Sequence, residues 1–481
     1  MKKYATINTF ILGIALLAIF STVLSGRLYG QDRRAPNVVI IFTDDQGYSD
    51  VGVFGAEGFK TPAIDSLAKD GCRFTSFDVP ESSCSPSRAA LLTGCYPYRI
   101  NLPDVLFPTC SPKPENRGYG KTGLNPKEIT LAEILKQQGY ATACIGKWHL
   151  GDAPKFLPTQ QGFDLFFGLP YSHDMHNYGK RTTFPPLPLY DAAAQSPDGV
   201  DNSARVTETN PDLRFLTQRY TKKAVKFIQL NKDKPFFLYL AHSMPHIPLA
   251  VSPEFEGSSE HGLYGDVIQE IDASVEKVLD AIHQNGLDGN TIIIYASDNG
   301  PWQSCGEDGG HCAPLRQAKG TRYEGGHRTP CLMRWTGKIP AGQTRTELIG
   351  SIDIFPTIAA WTGAAVPSDR IIDGVNQADY ITGAAEHSAR TLFFYQKQAV
   401  REGNWKLYPP GTYREVGPNM KRHYIQKTYN EIRLYNLESD ISETTNIAKE
   451  HPEIVQRLQK RLEEFRLDIQ KNSRPCGRNE K

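Results

Sequence analysis

Short apolar runs alternate with helical patterns along this chain, and that alternation constrains the fold more than any other feature. Four runs of branched and aromatic residues, each bounded by Gly, Pro or Asp, predict buried strands at residues 38–42, 141–145, 236–240 and 291–296. Amphipathic patterns between them predict helices at residues 129–138, 218–230 and 265–283. Strands that alternate with helices predict an α/β fold, in which a central sheet carries helices on both faces.

The pattern changes near residues 383–388. Beyond that point the sequence predicts short strands at residues 392–395, 405–408 and 434–437, followed by an amphipathic helix at residues 452–465. We therefore expect a main domain over residues 31–385 and a smaller C-terminal α+β subdomain over residues 386–481, with a small antiparallel sheet and a helix. Residues 182–211 are rich in Pro, Asp, Ser and Thr, which predicts a long surface loop.

The first thirty residues have the order of a secretory signal peptide. Lys2 and Lys3 precede an apolar run at residues 10–20, and small residues follow as far as Gly30. A helix that spans a bilayer needs about 20 apolar residues, so the alternative, a membrane anchor, is less favoured. We expect residues 1–30 to be removed and the mature chain to be exported, periplasmic or secreted, with no stable membrane span.

The nine cysteines set a limit on disulfide pairing. An exported chain permits disulfides, but an odd count leaves at least one thiol with another fate. Spacing alone does not fix the pairing. Cys305 and Cys312 flank a glycine-rich segment, and we treat them as the candidate pair for a short bridge.

Charge is balanced over the whole chain but concentrated locally. The 54 Lys and Arg residues and 53 Asp and Glu residues give a formal net charge of +1, so no global field points to nucleic acid as a partner. Polar clusters directly follow three predicted strands, at residues 44–45, 147–149 and 298–299. Ligands of α/β sheets gather beyond the carboxyl ends of the strands, so we expect these clusters to converge on one edge.

Two of these clusters have the composition of a metal site. Asp44, Asp45, Asp298 and Asn299 offer only oxygen ligands, which favours Ca²⁺ or Mg²⁺ over zinc. Alone, the first pair would indicate a turn or a helix cap. Side chains alternate along a strand, so neighbouring aspartates cannot both face one ion from regular strand geometry. We therefore expect the chain to leave that geometry after Asp44, as Gly47 permits.

Cys84 is predicted to begin a helix. Pro86 fits the first turn, where its missing N–H has no consequence, and residues 89–92 continue the helix. Free amides and the helix dipole favour an anion at such an end. Arg88 lies four residues on, hence on the same face. A cysteine alone would indicate a buried helix start, but together with Arg88 it marks a place for a tetrahedral oxyanion.

The letters around Cys84 resemble the signature of the type I sulfatases. CSPSR at residues 84–88 is followed by LLTG at residues 91–94. Other motifs similar to that family are NVVIIFTDD at residues 37–45, GKWHLG at 146–151, DNG at 298–300, KG at 319–320 with EGGHRTP at 324–330, and LYNL at 434–437 with ET at 443–444. PYSHD at residues 170–174 resembles a segment of the arylsulfatases of that family. The resemblance spans nearly the whole mature chain. It implies an alkaline-phosphatase-like α/β fold with a large mixed central sheet and helices on both faces.

The resemblance also implies a modified residue and a set of roles. In this family the cysteine is oxidised to formylglycine (3-oxoalanine), an aldehyde that hydrates to a gem-diol, so Cys84 would need the host's formylglycine-generating machinery. The implied catalytic residues are Cys84, Arg88, Lys147, His149, His246 and Lys319. One Ca²⁺, with Mg²⁺ as the alternative, would bind to Asp44, Asp45, Asp298, Asn299 and the modified Cys84. His242 is the alternative to His246.

The implied mechanism is hydrolysis of a sulfate ester. The cation and the basic side chains neutralise the sulfate oxygens. One hydroxyl of the hydrated formylglycine attacks sulfur, Asp298 takes its proton, and His246 or Lys319 protonates the departing alcohol. His149 then removes the proton of the second hydroxyl, and sulfate leaves.

We expect the substrate to be a sulfated carbohydrate or polysaccharide fragment. Sugars need many hydrogen-bonding partners, and polar side chains on two loops are candidates for that contact: Ser172, His173, Asp174 and His311. Two alternatives remain. A phosphodiesterase or phosphonate monoester hydrolase of the same superfamily would share the nucleophile and the metal. A non-catalytic sulfoglycan-binding protein would need a damaged site.

Overall fold

The structure, a computed structural model, describes residues 34–108, 121–177, 184–193, 205–417 and 424–479. The predicted signal peptide, residues 1–30, lies outside these ranges. In the described part of the chain, no helix combines the length and the apolar character needed to cross a membrane.

The predicted strands form the centre of a large sheet. In chain order, the described strands before residue 351 are β1 (Asn37–Thr43), β2 (Cys72–Asp78), β3 (Thr122–Gly123), β4 (Ala141–Lys147), β5 (Leu165–Leu169), β6 (Pro188–Ala193), β7 (Arg205–Thr209), β8 (Phe236–Ala241), β9 (Thr291–Ser297), β10 (Arg328–Arg334), β11 (Gln343–Arg345) and β12 (Ile349–Gly350). All of these except β3 belong to one sheet, in the order β11-β2-β10-β9-β1-β8-β4-β5-β6-β7, with β12 beside β2.

The sheet is mixed, as the family resemblance implies. Strands β9, β1, β8, β4 and β5 are parallel, whereas β10 and β6 run antiparallel to their neighbours. The register pairs Thr43 with Ser297, and it pairs both Phe42 and Gly146 with Ala241. The carboxyl ends of the central strands are therefore level, and the segments that follow them meet at one edge.

Helices cover both faces of this sheet. The described α-helices are α1 (Pro62–Lys69), α2 (Cys84–Thr93), α3 (Leu131–Gln137), α4 (Leu216–Leu230), α5 (Gly262–Gln284), α6 (Glu324–His327), α7 (Ile354–Thr362), α8 (Ala378–Thr382) and α9 (Pro452–Asn472). Helices α1, α4 and α5 share one apolar core with Ile41 of β1. Its neighbour Phe42 points to the opposite face, where the guanidinium of Arg88 in α2 lies 5.7 Å from the ring centroid.

The C-terminal part has its own small sheet. Its described strands are β13 (Leu392–Tyr395), β14 (Ala399–Glu402), β15 (Trp405–Tyr408), β16 (Gly411–Val416), β17 (Tyr424–Tyr429), β18 (Arg433–Asn436) and β19 (Gly477–Arg478). Strands β13, β14, β15 and β18 form an antiparallel sheet, β16 pairs with β17, and β19 pairs with β3. Helix α9 packs on this sheet, with the rings of Phe465 and Phe394 stacked at 3.9 Å. This is the predicted α+β arrangement; its boundary at residue 385 stays a prediction.

Buried ion pairs join the small sheet to the main one. Lys406 Nζ lies 2.7 Å from Glu324 Oε1, and Arg401 Nη1 lies 3.0 Å from Asp78 Oδ2. All four side chains are almost fully buried. Breaking such a pair from one side leaves an uncompensated buried charge, at a cost of about 3–5 kcal/mol. The two parts are therefore tightly docked beside helix α6.

The prediction of a surface loop over residues 182–211 is wrong for part of that range. Strands β6 and β7 form an antiparallel hairpin that extends the sheet beyond β5. Most of β7 is exposed, and Val206 retains 44% of its accessible surface. An edge strand of this kind forms through backbone hydrogen bonds rather than burial, so its sequence carries no apolar pattern.

Candidate active site

The two adjacent aspartates leave strand geometry, as expected. Strand β1 ends at Thr43, and Asp45 has a left-handed backbone with φ 67°. A Cβ atom at Gly47 would lie 1.9 Å from the carbonyl oxygen of His311, so only glycine fits that turn. The result is convergence: Asp44, Asp45, Cys84 and His246 each offer one ligand atom, and these four atoms lie within 4.8 Å of one another.

The second acidic cluster is bonded to the first. Asp298 and Asn299 follow β9, the strand beside β1. Asp298 Oδ1 accepts a hydrogen bond of 3.1 Å from the backbone N–H of Asp45, and Asn299 Nδ2 donates to Asp45 Oδ1 at 2.8 Å. The two chain segments that the sequence places after neighbouring strands thus form one cluster.

The donor atoms of this cluster fit a hard divalent cation. Among the described residues, Asp44 Oδ1 and Asn299 Oδ1 are buried and have no hydrogen-bond partner. Arg88 Nη2 lies 3.6 Å from Asp44 Oδ1, beyond hydrogen-bonding distance. A buried oxygen without a partner costs about 1–3 kcal/mol, and a cation would remove that cost. Carboxylate and amide oxygens are the ligands that Ca²⁺ and Mg²⁺ prefer.

Cys84 lies at the N-terminus of helix α2, where it was predicted. The preceding residue, Ser83, is extended, and Cys84 is only 2% exposed. Burial raises the pKa of the Cys84 thiol to about 12, although Lys147 and Lys319 lower it. The unmodified side chain is therefore a neutral thiol near pH 7, which is a poor nucleophile.

Three basic side chains surround Cys84 and the acidic cluster. Arg88 donates from Nε and Nη2 to Asp298 Oδ2, at 2.9 and 2.7 Å. Lys147 Nζ lies 2.5 Å from Asp44 Oδ2. Burial works against the charged form of Lys147, but Asp44 raises its pKa. The Lys147 ammonium therefore remains charged at neutral pH.

Lys319 links the acidic cluster directly to Cys84. Its Nζ lies 2.6 Å from Asp45 Oδ2 and 3.5 Å from Cys84 Sγ, and it is 4.5 Å from the ring centroid of Trp302. Burial opposes its charge, but Asp45 holds the pKa of Lys319 well above its ordinary value. An ammonium that is charged at neutral pH thus lies beside the predicted reactive residue.

His149 is held with one ring nitrogen available. Strand β4 ends at Lys147, and His149 has a left-handed backbone with φ 59°. His149 Nε2 lies 2.9 Å from the carbonyl oxygen of Leu106, which can only accept, so Nε2 carries the proton. Nδ1 has no hydrogen-bond partner among the described residues. Burial and the charge of Lys147 lower the pKa of His149, so its Nδ1 lone pair is free at neutral pH.

His246, rather than His242, reaches the cluster. His246 Nδ1 lies 2.6 Å from the carbonyl oxygen of Ile247, and its Nε2 lies 3.6 Å from Asp45 Oδ2. Burial and Lys319 lower the pKa of His246. His242 instead bonds Ser274 Oγ at 3.3 Å. This placement supports the choice of His246 that the sequence favoured.

Three of the predicted substrate contacts, Ser172, His173 and Asp174, lie next to Lys147 and His246. Ser172 Oγ accepts from Lys147 Nζ at 3.1 Å and bonds Asp174. The ring of His173 packs on that of His246, with centroids 5.5 Å apart. Ser172 and His173 are fully buried. This geometry favours orientation of Lys147 and His246 over direct contact with a sugar.

His311 lies in different surroundings from the other predicted residues. Its half-exposed ring contacts Asp50 through Nδ1 at 3.3 Å and packs on His261, with centroids 4.8 Å apart. It lines a cavity of about 560 Å³ together with Ser49 and Phe59. The substrate contact proposed for His311 stays a prediction.

A polar cavity of about 430 Å³ opens beside the cluster. Its lining includes residues that adjoin the site: Ser83 precedes Cys84, Gly320 follows Lys319, and Leu106 binds His149. Sequence reasoning missed the side chains that give this cavity its character: Glu81, Tyr98, Arg322, Gln396 and Arg414. Gln396 and Arg414 come from the C-terminal part, and no local sequence pattern predicts that they line this cavity.

The predicted bridge between Cys305 and Cys312 is not formed. Cys312 Sγ instead lies 2.9 Å from the carbonyl oxygen of Gln317 and accepts from Gln303 Nε2 at 3.2 Å. The segment between the two cysteines is a kinked 3-10 helix, Gln303–Gly309, with non-helical backbone at Gly306. The Cys312 thiol is therefore bonded to nearby residues of the same chain segment.

Comparison with known proteins identifies the family. The model of the sulfatase family matches residues 36–364, and a model described as N-sulphoglucosamine sulphohydrolase, C-terminal, matches residues 318–468. The chain belongs to the sulfatase family.

Individual relatives agree with this assignment. The chain is 40% identical to arylsulfatase A of Homo sapiens over 391 residues, which cover 78% of this chain and 75% of that protein. It is 36% identical to N-acetylgalactosamine-6-sulfatase of Canis lupus familiaris over 385 residues, 78% of this chain and 71% of that protein. The crystal structure of PsFucS1 sulfatase from Pseudoalteromonas sp. covers 93% of each chain, with a TM-score of 0.82 and 28% identity. This chain is accordingly a sulfuric ester hydrolase, and the predicted family and fold are confirmed.

Proposed function

We propose that this chain is an exported sulfatase that cleaves sulfate esters of carbohydrates, using a formylglycine formed from Cys84 and one bound Ca²⁺. One observation carries the proposal: the ligand atoms of Cys84, Asp44, Asp45 and His246 lie within 4.8 Å of one another at the start of helix α2. That cluster combines a site for a cation with a reactive position at a helix N-terminus.

The chemistry of residue 84 supports its modification. An unmodified thiol with a pKa near 12 gives little thiolate at neutral pH. Formylglycine would supply a hydrated aldehyde, with one hydroxyl to attack sulfur and a second through which the aldehyde is regenerated. The surrounding side chains then act on the protons and charges of that position.

The cation would be held by oxygens that are already close together. Asp44, Asp45, Asp298 and Asn299 would bind it, together with an oxygen of the modified residue 84. The ion would add positive charge beside the sulfate oxygens. Three carboxylates of the cluster face three basic side chains, so a divalent ion leaves the site positively charged toward an anionic ester.

The proton carriers follow from the ring and ammonium contacts. His149 Nδ1 is the free lone pair that would take a proton from a hydroxyl at position 84. Lys319 Nζ is charged and 3.5 Å from Cys84 Sγ, so it can donate a proton to a departing alcohol. His246 Nε2 is the other candidate, but burial lowers its pKa and makes the proton less available. The distance of Lys319 to residue 84 and its charge, rather than its acid strength, therefore favour it as the proton donor.

The neighbouring cavity supports a carbohydrate substrate. Its lining is rich in hydrogen-bonding side chains, among them Glu81, Tyr98, Asn101 and Gln396. Sugar hydroxyls need such partners, whereas an aryl group or a lipid needs an apolar wall. The name of the relative N-acetylgalactosamine-6-sulfatase also concerns a sugar sulfate.

Two experiments test the proposal. Peptide mass spectrometry of active protein should show loss of the sulfur of Cys84, and Cys84→Ala should keep its fold but lose turnover. The control Cys331→Ala removes a buried cysteine of β10 and should keep turnover. Active protein that carries only unmodified Cys84 would refute the proposed nucleophile.

The second experiment compares kcat/KM on sulfated oligosaccharides, an aryl sulfate and an aryl phosphodiester. Contacts to remote parts of a sugar chain should make the oligosaccharide better by orders of magnitude. Equal turnover of the aryl sulfate, with no turnover of any sulfated glycan, would exclude the carbohydrate assignment. A preference for the phosphodiester would favour the other branch of the superfamily. Export is tested separately, by locating the mature chain in cell fractions.

A further inference from the structure

We infer that the cavity beside Cys84 contains a second anion-binding subsite, formed by Arg322 and Arg414, which recognises a further anionic group on the same substrate. The inference rests on the proposed carbohydrate sulfatase function and narrows its substrate class. Substrates would carry a sulfate ester or a carboxylate close to the ester that is cleaved.

Arg322 has hydrogen-bonding capacity that the protein leaves unused. Its Nη1 donates to the carbonyl oxygen of Gly320 at 3.3 Å, a long bond. Its Nε is buried and has no hydrogen-bond partner among the described residues. The backbone is fixed, since Tyr408 donates to the Arg322 carbonyl oxygen at 3.0 Å. A buried guanidinium N–H without a partner is costly, and an anionic oxygen in the cavity would satisfy it.

Arg414 approaches the same place from the C-terminal hairpin β16–β17. Its guanidinium carbon lies 3.6 Å from the ring centroid of Tyr424, so a stacked aromatic face holds it. A Cβ atom, if residue 320 had one, would lie 3.2 Å from Arg414 Nη1, so the guanidinium is close to the backbone of Gly320. Tyr424 in turn donates to the carbonyl oxygen of Lys319 at 3.0 Å. The two guanidiniums therefore flank Gly320, one residue from the ammonium beside Cys84.

One of the two acidic residues of the cavity is mostly neutral and does not cancel the charge of Arg322. Glu81 and Asp104 also line it. Burial raises the pKa of Glu81 to about 8, against the effect of Arg322, so the carboxyl is mostly protonated near pH 7 and can donate. Gln396 Nε2 donates to Glu81 Oε1, and Glu81 Oε2 has no partner in the described chain. Glu81 therefore does not offset the charge of Arg322 near pH 7.

Anion recognition explains why this cavity has such a lining. A neutral sugar would offer the buried Arg322 Nε–H only a hydroxyl, whereas an anionic oxygen would give it a charge-assisted hydrogen bond. Arginine is the side chain best shaped for the planar or tetrahedral oxygens of carboxylates and sulfates. The position beside Lys319 and Ser83 places the second anion within reach of the sugar unit that carries the cleaved ester, or of its neighbour.

The test uses binding as well as turnover. Isothermal titration of Cys84→Ala protein with a disulfated and a monosulfated disaccharide of the same sugar sequence compares the two ligands without catalysis. Arg322→Gln and Arg414→Gln, each in that background, should lower the preference for the disulfated ligand by about tenfold, the loss expected for one charge-assisted hydrogen bond. The control Arg461→Gln changes an exposed arginine of helix α9 and should leave the preference unchanged.

The same variants with Cys84 intact give the kinetic readout. The ratio of kcat/KM for the disulfated substrate to that for the monosulfated one should fall by a similar factor. A monosulfated disaccharide that contains a uronate replaces the second sulfate by a carboxylate. If the variants lower kcat/KM more for the disulfated substrate, the subsite binds sulfate; if they lower it more for the uronate, the subsite binds carboxylate. Loss of both ligands to the same extent, with the preference intact, would overturn the inference.

Failure of the inference and failure of the proposed function are distinguishable. Wild-type protein that turns over no sulfated glycan contradicts the function. Wild-type protein that turns over sulfated glycans without any preference for a second anion contradicts the subsite alone. If Arg322→Gln does not fold, as its melting temperature would show, the partly exposed Arg414 decides the result.

Discussion

Arg88 donates two hydrogen bonds to a single oxygen of Asp298, from Nε at 2.9 Å and from Nη2 at 2.7 Å. Both side chains are fully buried. Burial raises the pKa of Asp298 to about 7, and Arg88 opposes that rise. The other oxygen of Asp298 accepts from the backbone of Asp45. One ion pair therefore connects the helix that begins at Cys84 with both acidic segments.

We predict that Arg88→Lys lowers kcat/KM by about 100-fold or more. Lysine keeps the charge but cannot donate from two nitrogens to Asp298. The carboxylate of Asp298 and the sulfate of the substrate would therefore both be held less precisely. The matched control is Arg401→Lys, which alters a second buried pair, with Asp78, away from the site. Both variants should have a lower melting temperature than wild type, and only Arg88→Lys should lose activity. Activity of Arg88→Lys within twofold of the control would contradict the role.

Removal of divalent cations should abolish activity and lower stability together. An ion that binds only the folded state stabilises it by about 2.7 kcal/mol at 100 times its dissociation constant. The free energy of unfolding, measured by denaturant titration, should fall after chelation and recover with Ca²⁺. Asp44→Asn and Asp298→Ala should lose this response. Asp353→Asn changes a buried carboxylate paired with Arg390 and should keep it. Recovery with zinc alone would rule out the oxygen-ligand site.

His149 is predicted to serve as a base through Nδ1. His149→Gln should lower kcat by about 10²- to 10⁴-fold, the usual contribution of a positioned general base. His242→Gln is the matched control, because His242 is equally buried but bonds Ser274. Stability of both variants should be measured first, so that activities are compared on folded protein. Equal kcat values for the two variants would remove His149 from the reaction.

Glu81 should make stability depend on pH. Its pKa rises from an ordinary value of 4.5 to about 8 in the folded protein, mainly through burial. Below about pH 4.5 both states are protonated, so no penalty exists. As pH rises toward 8, the unfolded chain ionises first, and the free energy of unfolding falls. Glu81→Gln should remove this part of the decline and melt higher than wild type at about pH 8.5.

The control for Glu81 is Glu463→Gln, an exposed position on helix α9 that should leave the pH profile unchanged. Arg322, Asp104 and Gln396 contact or influence Glu81 and keep their identities in both variants. A decline of the same size in Glu81→Gln and in wild type would show that Glu81 is ionised in the folded state at neutral pH.

The sequence predicts the centre of the fold well because burial leaves a pattern. The run at residues 38–42 corresponds to β1, Asn37–Thr43, and the run at residues 392–395 matches β13, Leu392–Tyr395. The final helix begins at Pro452 as predicted but continues to Asn472. The sequence did not predict the hairpin β6–β7, because an exposed edge strand can pair its backbone N–H and C=O groups without an apolar face.

The candidate site is predictable where side chains follow strands. Asp44, Lys147 and Asp298 lie at level strand ends, and parallel pairing alone brings them together. The carbonyl oxygen of Leu106 that fixes the tautomer of His149 has no side-chain signature, so no residue type could reveal it. The cavity depends on packing between distant segments: Gln396 reaches Glu81 across 315 positions of sequence.

The hydrogen bond from Tyr424 to the carbonyl oxygen of Lys319 joins the C-terminal hairpin β16–β17 to the loop that carries Lys319. The hairpin supplies Arg414 to the cavity wall but none of the groups proposed to cleave the ester. The inferred subsite thus draws on two stretches of the chain, with Arg322 close to Lys319 in sequence and Arg414 on the hairpin. A change confined to the hairpin would alter the Arg414 half of that subsite and leave the groups proposed to cleave the ester untouched.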